Sequence, residues 1–147
     1  RELGPDLPLI QADEIQIEQA LHNILRNAVE AMSGGGRLRI STAAPEGAWV
    51  EIRIQDTGHG ITEKDRERVF QSFFTTKIRG TGLGLTIVLR VLKNHGGEIV
   101  LEQPEEGGTR AVVRLPVKKR GVRSPETGGD GEAPGSSLPQ SAIRIPN

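Results

Sequence analysis

The sequence predicts an α+β domain in which a mixed, mostly antiparallel sheet is covered by helices on one face. Two stretches carry apolar residues at helical spacing, two pairs of stretches alternate apolar with polar residues, and a short turn joins each pair. Helices interrupted by hairpins in this way do not build the all-parallel sheet of an α/β fold.

A short extended segment, LPLIQA, leads into DEIQIEQALHNILRNAVEAM. There Ile17, Ala20, Leu21, Ile24, Leu25, Ala28, Val29 and Met32 recur at helical spacing, Asp13 is placed to cap the start, and Gln16 follows three positions later. The glycines of SGGG end the helix. RLRISTA and WVEIRIQD alternate around APEGA as a hairpin, with Trp49 on its more polar face. A short helix is predicted near TEKDRERVF, capped by Thr62, and a longer one over 83–95, stopped by Gly96 and Gly97. EIVLEQ and TRAVVRLPV, joined by PEEGG, form the second hairpin.

The organisation is one domain, residues 1–118, followed by a disordered tail, residues 119–147, in which Gly, Pro and Ser dominate and no apolar period survives. With 147 residues and 35% apolar content the chain can build one core. Its 19 basic and 19 acidic residues balance, so no nucleic-acid footprint is visible. The absence of Cys excludes disulfides and thiolate metal sites, and LGLTIVL falls far short of the roughly 20 residues that span a bilayer. The start at RELGPDLPLI, without Met or a signal peptide, predicts a fragment of a longer protein.

Four stretches suggest chemistry. Asn23 and Asn27, four apart on one helix face, can offer neutral oxygens to a hard cation that already holds phosphate; they equally suit a solvated polar face. In QDTGHGI, Asp56 ends a strand where its carboxylate can accept from an exocyclic amine, with Gly58 and Gly60 turning close to a flat ligand; the alternative is an ordinary Asx turn. Phe70, Phe73 and Phe74 read as core, yet the following TTK brings two hydroxyls and the Lys77 ammonium toward a possible phosphate. GTGLGL, directly before an apolar helix, is either a phosphate cradle or a turn that needs positive φ.

Taken in order, HNILRNAVEA, DTGHGI, FQSFFTTK, GTGLGL and GGTRAVVRLP resemble the ATP-binding catalytic domain of sensor histidine kinases. The same superfamily holds type II topoisomerases, mismatch-repair ATPases and heat-shock chaperone ATPases. The wording FFTTK and GTGLGL is most similar to the nitrogen-regulation group, and the resemblance covers residues 6–116. It implies a Bergerat-type α/β sandwich with a left-handed βαβ unit, binding ATP and magnesium between its helical layer and a mobile lid. On that likeness Asn27 holds magnesium and Asn23 assists near the phosphates. Asp56 receives the adenine amino group, Gly58 and Gly60 lie beneath the ring, and Thr109 reaches it through water. Lys77 touches the terminal phosphate, which makes it catalytic together with Asn23 and Asn27. Gly80, Gly82, Leu83 and Gly84 wrap the polyphosphate, while Ile61, Phe73, Thr76, Thr81 and Leu85 complete the implied nucleotide contacts. The glycine loop is thereby read as a phosphate cradle and lid hinge.

The resemblance further implies phosphoryl transfer to a histidine on a separate dimerisation domain that this chain lacks. His22 has no acidic neighbour, His59 lies in a glycine turn and His95 ends a helix, so none is acceptor-like. The implied partners are that dimerisation and histidine-phosphotransfer domain and the receiver domain of a response regulator, with no nucleic acid. The isolated chain is expected to be a monomer, and the intact kinase a cytoplasmic homodimer that is either soluble or membrane-anchored. Glu30 stands where many relatives carry a basic residue toward phosphate, and it reads as a solvated charge. An ATP hydrolase of the superfamily should have a glutamate one turn before the magnesium asparagine; Asn23 stands there instead. A nucleotide-binding regulatory module or an anti-sigma-factor-type kinase would keep the glycine boxes, but FFTTK argues against both.

Overall fold

The computed structural model describes residues 2–4, 6–65, 68–75, 82–117 and 143–144. Helix α1, Glu14–Ala31, starts where Asp13 Oδ1 accepts from the Gln16 N–H at 3.1 Å, and Gln16 Nε2 donates to Oδ2 at 3.0 Å. Its buried stripe is Ala20, Ile24 and Ala28. Helix α2, Gly84–Asn94, buries Val88, Val91 and Leu92.

The helices run antiparallel. At one end the Asp13 N–H donates to His95 Nε2 at 2.9 Å, while His95 Nδ1 lies 2.7 Å from the Val91 carbonyl. Because a carbonyl only accepts, Nδ1 carries the proton and Nε2 is the acceptor, so both ring nitrogens are engaged by backbone. At the other end Gly84 faces the middle of α1.

Strands β1 (Glu2–Leu3), β2 (Arg39–Ala43), β3 (Trp49–Gln55), β4 (Glu98–Glu102), β5 (Arg110–Pro116) and β6 (Ile143–Arg144) form one sheet in the order β1-β2-β3-β5-β4-β6. β1 pairs parallel to β2 and all other pairs are antiparallel, so the sheet is mixed as expected. β2 and β3 form the first predicted hairpin and β4 and β5 the second; β3 pairing with β5 joins them. Strand alternation then separates two faces. Ile54, Ala111 and Leu101 share one row beneath the helices, and Val113 and Ile99 the next.

The opposite face carries a charge ladder. Glu51, 2% exposed, accepts from Arg114 Nε at 2.7 Å and from Arg53 Nε at 3.0 Å, and Arg114 Nη1 reaches Glu98 at 3.1 Å. Burial opposes the Arg114 charge, but the hydrogen bonds and charges of Glu51 and Glu98 outweigh it and hold the guanidinium above its usual range. Trp49 lies on this face, opposite Pro116.

One local expectation changes. The segment predicted as a helix near TEKDRERVF is a chain of turns among its described residues, and the Thr62 hydroxyl donates to Asp65 Oδ2 at 2.7 Å instead of capping a backbone N–H. Within residues 119–147, Ile143 and Arg144 pair with β4, where their backbone satisfies groups on its edge. The rest of that stretch lies outside the described residues. Among the described residues no helix is long and apolar enough to cross a membrane.

The cap makes a pH prediction. Asp13 is held below its ordinary value of 3.8, first by the Gln16 N–H and then by the Gln16 side chain. A depressed folded pKa contributes stability above the unfolded value and loses it as pH falls through the folded one. Asp13→Asn should therefore lower the thermal midpoint at pH 7, with the two proteins converging as pH falls below 3.8; calorimetric scans across that range check it.

Candidate nucleotide site

A cavity of about 590 Å³ is bounded by α1, the inner sheet face, the turn segment after β3 and the start of α2. That volume suits a small-molecule ligand. Its floor is apolar, made by Ile54, Leu101 and Ala111, with Ile24 and Ala28 on the α1 wall and Ile61, Val69 and Phe74 on the turn segment.

One end is organised by Asp56, 4% exposed at the close of β3. Its Oδ1 accepts from the Gly58 N–H at 2.8 Å and the Thr109 N–H at 3.2 Å, and its own N–H donates to the Thr109 carbonyl at 2.9 Å. A buried carboxylate is tolerable only with such partners. Both donors are on Oδ1, which leaves Oδ2 to a donor from the cavity that Asp56 lines. The joint is tight: a Cβ on Gly108, where φ is +78°, would overlap the Asp56 carbonyl, and one on Gly58 would come within 2.6 Å of the Ala31 carbonyl.

The other end lies where α2 begins. A Cβ on Gly84 would be 3.7 Å from Asn23 Oδ1, 3.8 Å from Arg26 Nη2 and 3.8 Å from Asn27 Nδ2. Three polar side chains of α1 thus converge on the first turn of α2, whose N–H groups carry partial positive charge. Arg26 Nη2 donates to Asn23 Oδ1 at 3.3 Å, and Arg26 Nε is 3.9 Å from Glu30 Oε1. Beside them the Phe73 N–H donates to the Gly82 carbonyl at 3.1 Å. Phe73 has φ +66° and Gly82 +67°, and a Cβ on Gly82 would overlap the Phe73 backbone. This contact pins together the two ends of the segment between them.

Of the residues singled out from sequence, Asn27, Asp56, Gly60, Ile61, Gly82, Gly84, Leu85 and Thr109 line the cavity. Asn23 adjoins it through Arg26 and Gly84. Gly58 packs on Ala31, and neither it nor Leu83 is part of the lining. Phe74 lines the cavity, whereas Phe73 is 75% exposed. Thr76, Lys77, Gly80 and Thr81 lie outside the described residues. Sequence reasoning passed over Arg26, and it read Glu30 as a solvated charge, His59 as a turn residue and Phe74 as core, all three of which line the cavity. Arg26 had a signal: it follows Asn23 by three and so shares its helix face.

The chain matches the family described as histidine kinase-, DNA gyrase B-, and HSP90-like ATPase over residues 12–119, and it belongs to that family. It is 39% identical to sporulation kinase E of Bacillus subtilis (strain 168) over 118 residues, and 41% identical to the sensor histidine kinase ZraS of Escherichia coli O157:H7 over 111. These matches cover 80% and 76% of this chain but only 16% and 24% of the two relatives. Among solved structures, the nucleotide-free catalytic domain of histidine kinase ThkA superposes with TM-score 0.70 at 33% identity, covering 79% of this chain and 76% of that one. Full-length ShkA in complex with AMPPNP superposes with TM-score 0.70 at 30% identity, covering 82% of this chain and 26% of that one. The domain is therefore homologous to the catalytic domains of sensor histidine kinases.

Gly108→Ala tests the Asp56 joint. Strain at positive φ together with overlap on the Asp56 carbonyl should cost on the order of 2 kcal/mol or more. Chemical denaturation should show that loss, while Gly107→Ala, with open space around its Cβ, should cost less.

Proposed function

We propose that this chain binds magnesium-ATP and transfers its γ-phosphoryl group to a histidine on a separate dimerisation domain, as the catalytic domain of a bacterial two-component sensor histidine kinase. The observation that carries this reading is the polarity of the cavity. A buried carboxylate held by two backbone N–H groups stands at one end, and the polar face of α1 meets a helix N-terminus at the other. Adenine suits the first end, because its exocyclic amine donates to Asp56 Oδ2 while its ring covers the apolar floor. Guanine presents a carbonyl at that edge and would face the carboxylate with an acceptor. Phosphates suit the second end, where amides and neutral carboxamides gather.

The donor set also fits magnesium. Among the described residues no group of three or more His, Cys, Asp or Glu could cage a metal. A cation at Asn27 would take the carboxamide oxygen and complete its shell from phosphate and water, the usual habit of magnesium. When bound, it neutralises charge on the transferring phosphate. Lys77 and the loop residues Thr76, Gly80 and Thr81 are assigned to the terminal phosphates on sequence likeness alone.

The residues here position and stabilise; they do not supply a nucleophile. His95 is engaged at both ring nitrogens, and His59 lines the cavity beside Gly60, at the Asp56 end, with Nδ1 2.8 Å from the Gly60 carbonyl. Asn23, not a carboxylate, stands one turn before Asn27, so the position from which a hydrolase of the superfamily would activate water carries no general base. The acceptor must come from another domain, and a response regulator receiver domain takes the phosphoryl group onward. The unit responsible is residues 1–118, monomeric in isolation and part of a cytoplasmic homodimeric kinase, with residues 119–147 as its tail.

Calorimetric titration tests the reading. Asp56→Asn should weaken ATP by roughly 10-fold or more, the loss of a charge-assisted hydrogen bond worth roughly 1.5–3 kcal/mol, and should narrow the preference over GTP. Asn27→Ala should weaken ATP only when magnesium is present. Unchanged ATP and GTP affinities in the Asp56 variant would remove the adenine assignment.

A further inference from the structure

We infer that Arg26 is the phosphate-reading cation of this site and that Glu30 is the counter-ion from which phosphate draws it. The inference rests on the nucleotide reading above and adds to it two residues with opposed effects on affinity.

Geometry separates Arg26 from an ordinary surface charge. Its side chain is 55% exposed yet lines the cavity, and Nη2 points to within 3.8 Å of a Cβ position on Gly84, in the first turn of α2. Nη2 also donates to Asn23 Oδ1 at 3.3 Å, which ties the guanidinium to the asparagine one turn before Asn27. A guanidinium in that place presents its remaining N–H groups to the same volume as the α2 amides, and its fork matches two phosphate oxygens at once.

Its hold on Glu30 is weak. The pair is i,i+4 at 3.9 Å, with Glu30 44% exposed, and exposed pairs of this kind contribute little. Glu30 itself lines the cavity, so its negative charge lies near the volume proposed for phosphate. A phosphate group carries more charge than the carboxylate and offers two oxygens to the fork, so it takes Arg26 from Glu30. Glu30 then remains as a nearby like charge that limits affinity. The consequence is a site that reads the polyphosphate strongly while holding the whole nucleotide loosely enough to exchange it.

The test compares ATP with adenosine, which has the base and no phosphate, on the full chain. Arg26→Ala should weaken magnesium-ATP by about 10-fold or more and adenosine by less than about 2-fold. Glu30→Gln should tighten ATP by about 2- to 5-fold, leave adenosine unchanged, and lose most of its gain when Arg26 is alanine. Raising salt should erode ATP affinity more steeply in the wild type than in Arg26→Ala. Equal losses of ATP and adenosine in Arg26→Ala would show a merely structural role and overturn the inference. So would wild-type ATP affinity in that variant, or a Glu30→Gln gain undiminished without Arg26. Failure of the wild-type chain to bind ATP at all would overturn the nucleotide reading and this inference with it, whereas wild-type binding indifferent to Arg26 overturns this inference alone.

Discussion

The rest of the site depends on how a single buried carboxylate is held by backbone N–H groups out of water. Asp56 closes β3, and its backbone and Oδ1 are held by Thr109 from the turn before β5 and by the Gly58 N–H from the turn that follows. That turn packs through Gly58 onto the last residue of α1, Ala31. One residue thus ties together β3, β5 and the C-terminal end of α1, and these three elements form one end of the cavity. Any side chain on Gly108 would push on the Asp56 carbonyl, so the glycine that shapes the turn also sets the carboxylate. The desolvation cost of the buried group is offset locally by these hydrogen bonds.

The sheet holds this joint from the far side. Its helix-facing rows are continuously apolar, while the opposite face is crossed by Glu51 with Arg53 and Arg114, and by Arg110 with Gln55 and Glu102. The contacts of Arg110 and Arg114 cross between strands and pin strand register, and register decides which residues face the cavity. A one-residue slip of β3 would move Asp56 off Thr109. The antiparallel helices set the other end: His95 links the start of α1 to the end of α2, which leaves the α2 N-terminus facing Asn23, Arg26 and Asn27.

Much of this was legible from residues alone. The α1 cap is Asp13 as read, both hairpins form, and α2 runs Gly84–Asn94 against a predicted 83–95, because apolar periodicity and glycine stops act locally. Asp56 was found because a carboxylate between a strand and a DTG turn is a local pattern. The turns after Thr62 read as a helix in sequence because the charged residues there are good helix formers, yet that segment instead lines the cavity through Val69 and Phe74. Phe73 and Phe74 are adjacent, and only the positive φ at Phe73 shows which of them turns inward. Two-residue strands such as β1 and β6 leave no periodic signal. Arg26 and Glu30 stood in plain view, but their meaning needs the position of Gly84, a contact across 58 residues of chain.

The division of labour follows from what the cavity contains. On the proposed reading the Asp56 end takes the base, the α2 end takes the phosphates, no nucleophile is supplied among the described residues, and a second domain completes the chemistry. The most direct measurement mixes the chain with the dimerisation domain of its own parent kinase and ATP labelled at the γ-phosphate. The account predicts an unlabelled chain and a partner labelled on histidine, with acid-labile, base-stable phosphate. Label on His22, His59 or His95 of the isolated chain would contradict it, as would steady phosphate release at an ordinary enzymatic rate, on the order of 10 per second, without the partner.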